Sequence, residues 1–223
     1  MRGVMNPKKI LVIQLRRVGD VVFTLPVIHV LRKNYPAAQI DFLVEKPADQ
    51  LVRLNPYLSE TLVYDKEEAL DWIWKIRKKE YDLVLDFHSN GRTLILTLFS
   101  KARVRAGFKG PLTRQFVYNR FVNVNVQKYI VEQKLDLLRA LDLPVQDWDW
   151  GLKIPEPEIQ WAAAFFKKGE QREKRKTERE NRMAKFFLVF KDLTSNDGFL
   201  YENMGANKAG IVPELGPHHL HHA

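Results

Sequence analysis

The sequence predicts an α/β domain built on a doubly wound, mostly parallel, Rossmann-like sheet of five to seven strands, spanning about residues 8–157. Two patterns carry this. Short apolar runs alternate with segments whose apolar residues recur at helical spacing, as βαβ crossovers require. The runs are also continuous rather than alternating, which marks strands buried on both faces. Composition agrees: 45% hydrophobic and 28% charged residues suit a globular chain with a sizeable core.

In chain order, residues 9–15 (KILVIQL) read as the first strand and 21–31 as a helix stopped by Asn34-Tyr35-Pro36. Residues 40–44 (IDFLV) form the second strand. A short helix over 48–54 closes at Asn55-Pro56, and 61–64 form the third strand. The next helix covers 67–79, with Leu70, Ile73, Trp74 and Ile76 spread over its faces, and 82–86 (DLVLD) is the fourth strand. Residues 92–99 are helical, 103–107 and 121–126 are the fifth and sixth strands, and a helix over 130–141 ends at Leu143-Pro144.

The net charge of +9 is unevenly spread. Residues 1–166 hold 25 Lys and Arg against 19 Asp and Glu, 167–185 hold nine against four, and 186–223 hold two against four. The body is therefore moderately basic, which suits an anionic ligand or an acidic membrane surface. No strand interleaves Arg with aromatics, so no nucleic-acid partner is expected. There is no cysteine, which excludes disulfides, thiolate metal sites and a cysteine nucleophile and fits a cytoplasmic setting. No signal peptide and no transmembrane segment are expected. Residues 167–185 have no apolar face and read as a solvated helix or disorder. His218, His219, His221 and His222 cluster near the end without acidic partners, and no metal site is assigned to them.

In doubly wound sheets ligands lie at the carboxyl ends of the strands. Two loops there stand out: residues 16–20 after the first strand and 87–92 after the fourth. In the first, Gly19 allows a tight strand-to-helix turn. Asp20 then reads either as a helix N-cap or as a general base. Arg16 and Arg17 are adjacent, so in an extended loop only one faces the cleft, where it would suit phosphate or carboxylate; a solvated pair is the other reading. Neither G-x-G-x-x-G nor G-x-x-x-x-G-K-[ST] is present, so no dinucleotide or P-loop cofactor site is expected. In the second loop, His88 is either a cleft group or a satisfied surface histidine, and Asn90-Gly91 is a natural turn.

The block from Lys9 to Ile28, containing R-x-x-G-D-V-x-x-T-x-P, resembles the ADP-heptose:lipopolysaccharide heptosyltransferases, glycosyltransferase family 9. In order follow Leu31-Arg-Lys-Asn-Tyr-Pro, Ile40-Asp-Phe-Leu-Val, Asn55-Pro-Tyr, Tyr81-Asp-Leu-Val-Leu-Asp-Phe-His-Ser-Asn-Gly-Arg and Ala102-Arg-Val-Arg-Ala-Gly-Phe. The resemblance spans roughly residues 8–160. It implies the N-terminal, acceptor-side half of a GT-B fold over residues 1–160, followed by a disordered or frame-shifted tail over 161–223. It implies an inverting transfer of heptose, or a similar sugar, from an ADP-sugar to a lipopolysaccharide core or other glycan acceptor. Asp20 is then the catalytic base, with Arg16, Arg17, Gly19, Thr24, His88, Asn90 and Arg92 as substrate-binding residues. No metal or cofactor is implied, the ADP-sugar being a substrate. The acceptor is an anionic glycolipid at the membrane surface, and the protein is cytoplasmic or peripheral at the inner face of the membrane. The family continues with a second, nucleotide-binding domain for which residues 168–223 leave too little chain, so this truncated form is not expected to transfer alone. The alternative is a non-catalytic Rossmann-like domain that binds a phosphosugar or a protein partner.

Overall fold

The computed structural model describes residues 6–169. A first compact unit runs to Lys153 and a second begins at Ile154. The expected tail beyond residue 169, with its four histidines, lies outside the described residues.

The first unit is organised by a sheet of six parallel strands in the order β3-β2-β1-β4-β5-β6. These are β1 (Lys9–Ile13), β2 (Gln39–Val44), β3 (Glu60–Val63), β4 (Leu83–Asp86), β5 (Val104–Phe108) and β6 (Arg120–Val122). The predicted α/β class and parallel pairing both hold. Ile10, Leu11, Val12 and Ile13 are all fully buried, as expected where helices cover both faces. On one face Leu11, Ile13, Leu43 and Val84 pack with Trp72, Ile76 and Leu96. Each such side chain contributes about 1.5–3 kcal/mol by leaving water.

The helix predicted over 21–31 is instead two: α1 (Val18–Val22) and α2 (Leu25–Asn34). Pro26, near the start of α2, has no N–H to continue the α1 ladder. The fully buried Thr24 donates its hydroxyl to the Asp20 carbonyl at 2.7 Å, satisfying a group the break leaves free. α3 (Asp49–Val52) and α4 (Ala69–Lys79) follow. The inward face of α4 is Trp72 and Ile76, four residues apart, while Leu70 and Trp74 are exposed. α5 (Gly91–Phe99) and α7 (Ile130–Arg139) match expectation to within two residues. α6 (Leu112–Val117) was not predicted, being one short segment behind Gly110-Pro111. β6 is shorter than the predicted run because its ladder to β5 stops at Phe108–Val122. In the second unit, α8 (Glu156–Gly169) stacks Trp161 on Phe165, with ring centroids 5.3 Å apart.

Strand order reverses between β1 and β4, which are neighbours although two strands separate them in sequence. One chain path leaves to the β2 side and the other to the β5 side. A crevice must open above that point, at the carboxyl ends of the strands.

Candidate active site

That crevice is a cavity of about 520 Å³ lined by Gln14, Arg16, Arg17, Asp20, Phe87, His88, Asn90, Phe108, Val124, Ile130, Gln133 and Lys134. The size is ordinary for a small-molecule site. The two loops named from the sequence supply most of its polar groups, and α7 supplies Gln133 and Lys134 from the far side.

The turn after β1 is made by Arg17, not Gly19. Arg17 has φ 63°, left-handed backbone that costs a bulky residue on the order of 1–3 kcal/mol. Gly19 has no positive φ, and a Cβ there would meet open space. The turn at Arg17 also breaks the side-to-side alternation of an extended loop, so Arg16 and Arg17 both line the cavity, where the sequence predicted one. Asp20 is not the N-cap. Arg17 holds that position, and Asp20 falls in the first turn of α1 with its side chain half-buried on the cavity wall.

Glu45, just past β2, is a partner the sequence did not reveal. Its carboxylate accepts from Arg16 Nε at 2.8 Å and from Arg92 Nη1 at 3.2 Å. It thereby ties the first loop to α5. Arg16 reaches the cavity and Arg92 is not part of its lining. Gly19 and Thr24 are likewise outside the lining, the latter because it is committed to the α1–α2 break.

The second loop turns at Ser89, φ 52°, rather than at Asn90-Gly91. Asn90 is instead the N-cap of α5: its side chain accepts from Thr93 N at 3.0 Å while Thr93 Oγ1 accepts from Asn90 N, a reciprocal capping box. The turn is held from below by Asp86, which is fully buried at the end of β4. Asp86 Oδ1 accepts from His88 N at 3.0 Å and Ser89 N at 2.8 Å, and Oδ2 accepts from Tyr118 Oη at 2.7 Å. Burial pushes the Asp86 carboxyl up, and those hydrogen bonds pull against it.

Lys134, on α7, is the least expected member. It is 4% exposed. Its Nζ donates to Gln14 Oε1 at 3.1 Å and lies 5.2 Å from the Phe87 ring centroid. Among the described residues it enters no ion pair. Burial pushes its ammonium down to about 8, with the Asp20 carboxylate pulling the other way. Nothing in the local sequence distinguishes it from a solvated helical lysine. His88 is also held below the ordinary histidine range, first by burial, then by the Arg92 and Arg16 guanidiniums acting against Glu45 and Asp20. The lining therefore carries Arg16, Arg17 and Lys134 against the single carboxylate of Asp20, which favours an anionic ligand. Among the described residues no group of three or more His, Asp or Glu side chains is gathered.

The sequence profile of glycosyltransferase family 9 (heptosyltransferase) matches residues 71–198. The chain belongs to this family. The matched residues run on to residue 198, past the span of about 8–160 over which the resemblance was drawn. The chain is similar to the lipopolysaccharide core heptosyltransferase OpsX of Haemophilus influenzae, 24% identical over 166 residues, covering 71% of this chain and 48% of that protein. Among solved structures it is similar to a family 9 glycosyl transferase from Veillonella parvula, with a TM-score of 0.61 at 22% identity over 74% of this chain and 50% of that one. It is also similar to the ADP-heptose lipopolysaccharide heptosyltransferase II of Escherichia coli, with a TM-score of 0.58 at 26% identity over 71% and 50%. The chain thus spans about half the length of these family 9 relatives. Among the described residues no helix is long and apolar enough to cross a membrane.

Proposed function

We propose that this chain is the acceptor-side, N-terminal half of an inverting GT-B transferase that moves a heptose from an ADP-sugar to a lipopolysaccharide-core or related glycan acceptor. The observation that carries the reading is the position of Asp20. In a family 9 chain, a half-buried carboxylate stands on the wall of the switch-point cavity, free of the capping role that would have explained it otherwise. In the reaction, Asp20 accepts the proton of an acceptor hydroxyl. The oxygen forms its bond to the anomeric carbon from the face opposite the ADP, and the bond between that carbon and the ADP oxygen breaks with its electron pair leaving on ADP. Arg16 and Arg17 favour the negative charge that develops on the diphosphate, so the step calls for no metal and no cofactor. His88 and Asn90 offer hydrogen bonds to the sugars. The acceptor is a glycolipid presented at a membrane surface, reached from the cytoplasmic side by a peripheral protein.

The test is Asp20→Asn in a two-domain version of the chain. Turnover should fall about 10²–10⁴-fold, the usual contribution of a general base, with acceptor binding and thermal midpoint retained. Undiminished turnover would remove Asp20 from the mechanism. If the wild-type two-domain protein binds an anionic sugar without transferring any, the non-catalytic reading takes its place.

A further inference from the structure

Gln14 follows β1 directly and is 2% exposed. Its amide is hydrogen-bonded at both ends. Oε1 accepts from Lys134 Nζ at 3.1 Å, while Nε2 donates to the Arg16 carbonyl at 3.2 Å and lies 3.2 Å from His88 Nδ1. Only one orientation of this amide satisfies its surroundings. An ammonium can only donate, so it must face the amide oxygen; a carbonyl can only accept, so it must face the amide nitrogen. A flipped amide would set oxygen against oxygen at Arg16 and nitrogen against nitrogen at Lys134, two buried mismatches that leave polar groups unsatisfied.

With the amide fixed, the neighbouring imidazole has no choice either. Gln14 Nε2 offers a proton, so His88 Nδ1 must receive it, and a neutral ring then carries its own proton on Nε2. His88 lines the cavity beside Asp20 and Asn90. We propose that Gln14 is a positioning residue, locked by Lys134 and the Arg16 carbonyl, which holds His88 as the Nε2–H tautomer so that the ring donates a hydrogen bond to a ligand oxygen in the cavity. The ligand oxygen is a hydroxyl, carboxylate or phosphate oxygen, an acceptor in every case. His88 in this role neither takes the reaction proton nor carries a charge, which leaves that proton to Asp20. The assignment of the oxygen to a sugar substrate rests on the function proposed above, but the tautomer does not.

The chain as it stands, labelled with ¹⁵N on histidine, is read by two-bond ¹H–¹⁵N correlation at neutral pH, without substrate. His88 should show Nε2–H in excess of Nδ1–H by about tenfold, the equilibrium effect of one such hydrogen bond. Gln14→Met, which keeps the length and removes the donor, should lower that excess. Gln14→Glu, which offers an acceptor instead, should invert the preference to Nδ1–H. A wild-type ring found mainly as Nδ1–H would overturn the proposal, and that measurement needs no variant to fold. So would a ratio unchanged in a folded Gln14→Met protein. Because no turnover is measured, failure here leaves the transferase reading intact, and failure of transfer leaves the tautomer result standing.

Discussion

The Tyr118 hydroxyl donates to Asp86 Oδ2 at 2.7 Å, beneath the loop that carries His88 and Asn90. Tyr118 is the only side chain among the described residues that gives Asp86 a hydroxyl and also reaches Ser89 Oγ, at 3.0 Å. Tyr118→Phe should therefore destabilise the fold by about 1.5–3 kcal/mol, the cost of removing a donor from a buried charged acceptor, read as a shift of the urea midpoint at unchanged slope. The sign with pH follows from the direction of the Asp86 shift. Its folded carboxyl is raised, burial first, so the folded state holds its proton to higher pH than the unfolded chain does. As pH falls through that raised value the carboxylate becomes neutral, and the penalty of Tyr118→Phe should shrink. A penalty constant with pH would show that the bond is not to a charged group.

The same tyrosine explains one glycine. A Cβ on Gly107 would lie 2.4 Å from two atoms of the Tyr118 ring. Gly107→Ala should push the ring off Asp86 and cost about 1–3 kcal/mol, the usual penalty of overpacking. In the background of Tyr118→Ala, which removes the ring, that cost should largely vanish. A double-mutant cycle on thermal or urea unfolding gives the coupling directly.

Lys134 is held by a fold that would be more stable without its charge. A lysine pulled from 10.5 to about 8 by burial costs the folded state on the order of 3 kcal/mol at neutral pH. Lys134→Met removes that cost and leaves Gln14 Oε1 without a donor, which takes back about 1 kcal/mol. Net stabilisation of about 2 kcal/mol is expected at pH 7. The sign is that of a depressed cation: between pH 8 and 10.5 the unfolded chain binds more protons than the folded one, so wild-type stability rises with pH. The advantage of Lys134→Met should fade over that window, in chemical denaturation followed at several pH values. Destabilisation at pH 7 would mark Lys134 as structural.

Gly19 separates two accounts of the first loop. Its backbone is ordinary helix and its missing side chain faces open space. Gly19→Ala should stabilise the protein by up to about 1 kcal/mol through the lower entropy of the unfolded chain, and should leave binding of anionic sugars to the cavity unchanged, as read by calorimetry. Binding lost at unchanged stability would return Gly19 to the site.

The sheet was legible because its strands announce themselves as unbroken apolar runs, and the placing of the loop at 16–20 followed from the first of them. That Arg17 rather than Asp20 holds the N-cap position was not legible: it depended on which residue bends the chain, and a left-handed arginine at 17 is a conformation that tertiary packing imposes against local preference. The break at Thr24 was written in Pro26, yet apolar spacing across it looked continuous. Glu45 and Lys134 could not be read at all. Each looks like an ordinary polar residue flanking a strand or dotting a helix, and only the meeting of β2, α5 and α7 around β1 gives them partners.

The crossing of strand order at β1 and β4 also governs how the molecule can be divided. Gln14 and Lys134 are 120 residues apart, and Ile10 reaches its partner Leu83 only after β2, β3 and α4 have been laid down. No excised peptide shorter than β1 through α7 can hold the lysine, the amide and the imidazole together. Split-protein reconstitution at the surface loop between β3 and α4 would therefore restore sheet and cavity in one step, each fragment being blank by itself.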